Sequence, residues 1–528
     1  MKNITNISFS EIDGIPLLIK DFLSKKLEEL SPQLFSLANF ERQIVAKKNS
    51  FSTEQRTLLQ NVLTQQMADC TLSSLQLEHL KSISSENTFT VTTGHQLNLF
   101  TGPVFFIYKI LQTIKTAKYL EEHFPDCKFV PIFWLASEDH DFEEINHFKT
   151  KNNFYEIRGK SGGAVGKIKV EETAFISEFE KEFQDSIYGT ELIQLLKKAY
   201  QKGKTLTEAT KTIVQYLFAE QGLLYIDGDD AQLKAEMNSI FKDELLNQSL
   251  KKTTTKMVDF LTQKYGKVQV NPREINLFYL SETRNRIDFD GKNYQIHEKN
   301  KQFSENEILA ELEKNPEKFS PNALMRPVFQ EKILPNLAYI GGNAEIMYWF
   351  ELKSYFEKWN IPFPILIPRN SMLFLSEKTT KKIEKLGLEL DDFLKDFAHI
   401  INKKLLISHE LTPILQQKEA ELRSIFSLLK EKSSLTDKTF RNLVEAEESR
   451  QLKSYQRMNK RLLRAEKNKN QNTINQLELL FTEVHPAKIW QERVYNFSVF
   501  FSDFGQGWLQ YCYSKIIVDN SELIISEF

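Results

Sequence analysis

The 528-residue chain is short of cysteine, of charge imbalance and of long apolar runs, and each shortage narrows what it can be. Its three cysteines, Cys70, Cys127 and Cys512, lie far apart with no CxxC pair. An odd, scattered set argues against a disulfide framework or a thiolate zinc site and fits a reducing cytosol. Lys+Arg 69 against Asp+Glu 71 leaves a net charge of -2, too balanced for a protein that coats nucleic acid or an anionic membrane. Any site for a charged ligand must therefore be local. No charged leader followed by a long apolar stretch opens the chain, and runs such as VFFIYKIL are broken by lysine and too short to span a bilayer. These absences predict a cytoplasmic protein with neither a membrane nor a nucleic-acid partner. What is present is 41% hydrophobic residues, enough at this length for two or more packed units.

Residues 11–85 carry apolar side chains at helical spacing, among them Leu58, Leu59, Val62, Leu63 and Met67, which predicts a helical N-terminal layer. The pattern then changes. Five short apolar runs, at 89–94, 128–141, 222–230, 337–343 and 362–371, end in glycine, proline or polar clusters, and most are followed by a helical stretch. Continuous β-branched and aromatic runs suit strands covered on both faces, so an α/β fold with a parallel sheet is expected. Residues 142–221 and 231–336 exceed what a crossover helix needs and imply insertions. The second insertion contains a small β element, residues 268–298, with an Asp290-Gly291 turn signal.

Beyond Ser376 the composition shifts to a Lys/Glu/Leu/Gln-rich segment, nearly free of glycine and proline, reaching about residue 484. Long helices follow from that composition. Leu422, Ile425, Phe426 and Leu429 form one stripe, while Leu452, Tyr455, Leu462, Ile474, Leu477 and Phe481 form another that partly follows a heptad. A helical hairpin or coiled-coil arm is the expected product. The basic run Arg457, Lys460, Arg461, Arg464 and Lys467 is read as a solvated helix face rather than a nucleic-acid arm. The aromatic stretch at 490–513 is expected to dock back onto a core.

Several strand ends carry chemistry. The stretch VTTGHQLNLFTGPVFFIYK (91–109) places His95 and Gln96 at the carboxyl edge of the sheet, where ligands of open α/β folds bind. Thr101 and Pro103 are expected to open the following helix, whose unpaired N–H groups would attract an anion, with Lys109 adding a positive charge if it points back. A tight turn with a solvent-facing histidine is the alternative. The second strand ends in SEDHD, where Glu138, Asp139 and Asp141 surround His140; their mutual repulsion is expected to raise the acids and favour imidazolium. Proton transfer or ammonium binding would suit such a cluster. A solvated acidic loop or a metal site using His140 and His147 are the alternatives, and the spacing matches no established metal pattern. The fourth strand ends at Gly341-Gly342, which let a backbone approach a ligand, followed by Glu345 and Trp349 on one helix face. Glu345 is either a dipole-stabilising acid or an acceptor for a substrate amine. Arg326 and Arg369 are candidates for pairing with a carboxylate or phosphate.

Taken together, TTGHQLNLFTGPVFFIYK, PIFWLASEDHDFEEINH, SPNALMRP, LAYIGGNAEIMYWFELK, PRNS and WQERVYNF resemble, in order from about residue 89 to about residue 500, the BshC family, the cysteine-adding enzymes of bacillithiol synthesis. The resemblance implies a Rossmann-like core similar to nucleotidyltransferases and class I synthetases, two inserted connecting segments, and a coiled-coil domain pairing subunits into a homodimer. On that footing the divisions expected are 1–150 for the helical layer and the first part of the core, 151–221 for the first insertion and 222–260 for more core. The second insertion then takes 261–322, the core resumes at 323–377, the arm spans 378–484, and 485–528 docks on the core.

The activity implied is a ligase joining the carboxyl of cysteine to the amine of glucosaminyl malate, the last step of bacillithiol formation. An amine does not usefully attack a carboxylate in neutral water, so ATP is the expected activator, through an adenylate or acyl phosphate; no metal is predicted. Gln96, Lys109, Asp139 and His140 are assigned to catalysis. Thr93, Gly94, His95, Thr101 and Gly102 are assigned to nucleotide phosphates. Trp134, Glu138, Asp141, Arg326, Gly341, Gly342, Glu345, Trp349 and Arg369 are assigned to substrate. Alanine at Lys109 is expected to cut turnover while leaving folding intact. A nucleotidyltransferase or adenylating enzyme acting on another small molecule, and a non-catalytic dimeric scaffold, are the competing readings.

Overall fold

The computed structural model describes residues 1–159, 161–296, 301–407, 409–433 and 435–528. At its centre lies a five-stranded sheet in which every neighbouring pair is parallel, in the order Ile365–Pro368, Asn336–Gly341, Thr88–His95, Lys128–Leu135, Leu224–Asp227. These are the five runs singled out in the sequence. Val91, Ile132, Phe133, Leu224 and Ile340 are buried, as strands covered on both faces must be. The chain builds outward from Thr88–His95 to one side, then returns to place Asn336–Gly341 on its other side. The strand order therefore reverses between these two, creating the crevice at which open α/β sheets hold ligands.

The N-terminal layer is helical over Leu37–Ser50, Thr53–Gln66 and Ser74–Ser82, each opened by a capping serine, with reciprocal Ser52/Gln55 and Ser73/Gln76 boxes on the last two. A strand not anticipated from the sequence, Lys2–Ser8, precedes it. It pairs antiparallel with Glu522–Glu527, which pairs parallel with Ser371–Leu375, so the two ends of the chain share a small second sheet.

The first insertion folds as three main helices, Ala174–Phe183, Gly189–Ala199 and Leu206–Phe218. Helices Asn238–Asn247 and Ser249–Tyr265 lead into the second insertion, which forms an antiparallel sheet in the order Lys301–Phe303, Tyr294–Ile296, Arg284–Phe289, Leu277–Leu280, Phe319–Pro321. Gly291, at φ +95°, sits in the turn expected at Asp290-Gly291, where the Asp290 carboxylate accepts from the Lys292 and Asn293 amides. His297 and Glu298, the end of the expected β element, lie outside the described residues.

The arm is a hairpin of Leu411–Ser433 against Lys438–Lys469, and Gln471–Val484 leads back to the body. Of the first apolar stripe only Phe426 is buried, whereas Ile425 and Leu429 are exposed. In the returning segment Trp508 is fully buried, stacked on Phe500 and in contact with Tyr108 of helix Phe105–His123. No helix among the described residues is long and apolar enough to cross a membrane.

Candidate active site

Three segments meet at the crevice: the end of Thr88–His95, the loop after Lys128–Leu135, and the Tyr339 to Tyr348 region around the start of helix Asn343–Phe350. They enclose a cavity of about 490 Å³. Its far wall is supplied by the second insertion through Arg273, Phe278, Arg284, Arg286 and Asn322. Gly94, His95, Gln96, Trp134, Glu138, Asp139, His140, Arg326 and Glu345 all border it.

Lys109 stands behind this wall. Its Nζ donates to the Gly94 carbonyl and to both Glu345 oxygens, at 2.8 and 2.9 Å. The lysine does point back toward the loop, but its charge is already matched. Tyr339 Oη also donates to Glu345 at 2.6 Å, so the carboxylate offers a substrate ammonium less than a free acid would. Burial opposes ionisation of Glu345, yet Lys109 and these hydrogen bonds outweigh it and hold the carboxyl below its ordinary range. His95 lies against Phe105 and Phe106, with ring centroids 5.2 and 5.3 Å away. Burial, reinforced by the Lys109 charge, lowers it to about 4, so it is neutral at cellular pH.

The acidic cluster differs from its expectation because each of two acids has an opposite charge. Glu138 pairs with the buried Lys234 at 2.6 Å, and Asp139 lies 3.8 Å from Arg284. Asp139 also accepts from Gln96 Nε2 at 2.6 Å and from the His140 amide at 2.7 Å. Burial works against its ionisation, but the bonds from His140 and Gln96 and the nearby guanidinium push the Asp139 carboxyl well below the usual range rather than above it. Arg284 is fixed by Phe278 beneath its guanidinium at 4.1 Å and by bonds to Ser320 Oγ and the Pro321 carbonyl. Its Nη1 lies 3.2 Å from His140 Nδ1, and the Asp139 carboxylate lies 3.5 Å from the same nitrogen; with the ring proton on Nδ1 facing Asp139, Nε2 is left with a free lone pair. Gln96 Nε2 also bonds Glu144 at 2.9 Å, and beyond His95 and Gln96 lies a second cavity of about 350 Å³ lined by His147, Lys149 and Arg493.

Other assigned residues lie elsewhere. Thr101 caps no helix: the helix starts at Phe105, and Thr101 is buried at φ +70° in a short turn. The amides of Phe100, Thr101, Gly102 and Val104 donate to Tyr200 Oη and to the carbonyls of Asn98, Leu99 and Tyr495. No N–H cradle for a phosphate remains at those four positions. Thr93 is buried in its strand and donates to the Ile340 carbonyl. Gly341 packs tightly, since a Cβ there would lie 3.0 Å from Tyr339 and 3.1 Å from Ile346, and neither it nor Gly342 borders the cavity. Trp349 is fully buried behind Tyr339, and Asp141 is an exposed cap on Phe142–Ile145. Arg369 forms a buried two-pronged pair with Glu492 at 2.9 and 2.7 Å and is not in the cavity. Among the described residues, no group of three or more His, Cys, Asp or Glu is placed to hold a metal ion.

Missed from the sequence were the arginines of the second insertion. Period-two alternation on Arg284–Phe289 puts Arg284 and Arg286 on the face opposite buried Asn285 and Ile287, a signal that was available.

A profile described as "Bacillithiol biosynthesis BshC, N-terminal Rossmann-like domain" matches residues 3–370, and a second, "Bacillithiol biosynthesis BshC, C-terminal coiled-coil domain", matches residues 372–527. The chain belongs to the BshC family. A relative from Flavobacterium johnsoniae named "Putative cysteine ligase BshC" is 40% identical over 508 residues, 95% of each chain. Relatives of the same name from Flavobacterium psychrophilum and Christiangramia forsetii are each 39% identical, covering 95% of this chain and 95% and 94% of their own. The two BshC domains meet at residues 370–372, and the Arg369–Glu492 pair bonds one to the other.

Proposed function

We propose that this chain is the ligase that closes bacillithiol formation, joining the cysteine carboxyl to the amine of glucosaminyl malate in the cavity at the strand-order reversal. The observation that carries the reading is the Gln96–Asp139–His140–Arg284 arrangement on that cavity. Membership of the BshC family supports it. In this reading His140 takes the proton released as the amine attacks. Asp139 and Arg284 act as positioning residues that hold its ring, and Gln96 fixes Asp139. Lys109 keeps Glu345 ionised and the floor of the cavity rigid.

The carboxyl oxygen of cysteine must leave during amide formation, and ATP is proposed to convert it into a leaving group. The Phe100 to Val104 amides are engaged within the protein, so that turn is not where its phosphates would bind. Two cavities meeting at Gln96 offer room for more than one reactant. We place the reaction in the cytosol, with the protein a homodimer through its arm. The exposed Leu428, Leu429, Phe440 and Leu443 on the hairpin support pairing of two arms. Sedimentation of a Leu428→Lys/Leu443→Lys variant as a monomer is the expected outcome; an unchanged dimer would contradict this interface.

Deleting the gene tests the function. The deletion strain should lack bacillithiol and accumulate glucosaminyl malate. Retained bacillithiol with no accumulation would overturn the assignment.

A further inference from the structure

We propose that Arg273 and Arg286, both carried by the second insertion, recognise the two carboxylates of the malate half of the amine substrate and make this insertion the specificity element of the site. The inference rests on the reading of the cavity given above and adds to it the groups that select a dianionic amino sugar.

The charges bordering the cavity divide into those already matched and those left over. Glu138 is matched by Lys234, Asp139 by Arg284 and Glu345 by Lys109. Arg284 donates to Ser320 and Pro321 and lies against Asp139 and His140, and Arg326 donates to Gln330 and Tyr348 while lying over Tyr339. The guanidinium groups of Arg273 and Arg286 have no hydrogen bond or ion pair with any described residue, although both border the cavity. Both residues are exposed, which places them toward its mouth. Two unmatched cations on one cavity repel each other, and a ligand with two negative charges relieves that repulsion while filling both forks. A guanidinium binds a carboxylate through two parallel N–H···O bonds, a geometry that lysine does not reproduce.

Register adds direction. Arg286 stands opposite Phe278 in the antiparallel pair, and Arg284, two residues away on the same face, holds His140. Two residues along a strand span roughly 7 Å. An amine at His140 would thus leave the malate, attached through the neighbouring anomeric carbon, with its carboxylates within reach of Arg286. Arg273, in the segment leading into strand Leu277–Leu280, supplies the second fork.

The test measures binding to the full-length protein by calorimetry. The ligands are glucosaminyl malate, methyl glucosaminide, which keeps the amino sugar without the carboxylates, and malate alone. Wild-type protein, Arg273→Gln, Arg286→Gln and the double variant are compared at low and high salt, with melting temperatures confirming that these exposed substitutions leave the fold intact. Each substitution should weaken glucosaminyl malate roughly three- to tenfold, the range for a charge-assisted bond on a partly exposed group. The double variant should bind the two sugars alike and lose the salt dependence, with cysteine binding unchanged. Arg286→Lys should recover only part of the loss. If the double variant keeps the full preference for the malate conjugate, the arginine assignment is wrong while the reading of the cavity stands. If wild type binds malate through these arginines but not the conjugate, the assignment holds and the substrate reading fails. If wild type binds neither, both fall.

Discussion

Replacing Lys109 with methionine keeps most of the side-chain volume and removes one charge, so it isolates the Lys109–Glu345 pair. The lysine side chain is 1% exposed and the glutamate 26%. Removing one partner of a buried pair costs about 3–5 kcal/mol, because the other charge is stranded. Glu345 borders the cavity, where water can reach it, so the lower end applies, about 3 kcal/mol. Adding Glu345→Gln removes the stranded charge and leaves an amide oxygen for Tyr339, so the double variant should recover more than half of the loss. For a unit of this size each kcal/mol is worth roughly 2 °C, which predicts a fall of about 6 °C for the single variant and about 2 °C for the double. Thermal unfolding followed by near-ultraviolet circular dichroism reads both. On this geometry the loss of Lys109 is expected to cost stability as well as turnover. A single variant that melts with the wild type, or a double variant that melts lower still, would refute the reasoning.

Other expectations follow from the same contacts. Glu351 is buried, accepts from the Val270 amide beside the cavity, and is pushed up by burial to about 8. Its raised value means that the protonated form stabilises the fold, an advantage complete near the unfolded value and lost as pH rises through about 8; Glu351→Gln should therefore gain stability relative to wild type between pH 6 and 9. A melting difference independent of pH would contradict this. Arg284→Lys cannot reproduce a planar fork reaching Ser320, Pro321 and His140, and should lower kcat by about tenfold or more while shifting the pH–rate profile. An unaltered profile would remove Arg284 from that role. Asn496 Nδ2 donates to the carbonyls of Phe100 and Gly102 at 2.6 and 2.7 Å, so Asn496→Ala should cost about 2–3 kcal/mol and speed amide exchange across 98–104. Unchanged exchange there would count against the clasp.

The central sheet was legible because a strand buried on both faces writes itself as a continuous apolar run, and all five did so. Lys2–Ser8 left no such mark. Its burial pattern is mostly open and its partner, Glu522–Glu527, lies at the other end of the chain, so the pairing has no local signature. The site divides in the same way. Gly94, His95, Gln96 and the Glu138 to His140 cluster were found because they terminate strands at one sheet edge. Thr101 and Gly102 were misread because a threonine before Pro103 looks like a cap. What sets their conformation is Asn496, far away in sequence, which clasps a turn where Phe100 and Thr101 both take positive φ. Arg369 failed similarly, its buried partner Glu492 being equally remote. The arginines of the second insertion sat in a visible β alternation, but nothing local indicated that this small sheet would close over the crevice.

The most direct test incubates the purified protein with cysteine, glucosaminyl malate and ATP and follows bacillithiol by mass spectrometry, alongside Asp139→Asn and His140→Ala variants shown to melt near the wild type. The account predicts product that depends on ATP and falls by at least about a hundredfold in the His140 variant. Product formed at the wild-type rate by both variants, or wild-type protein that yields none with all three reactants present, would contradict it.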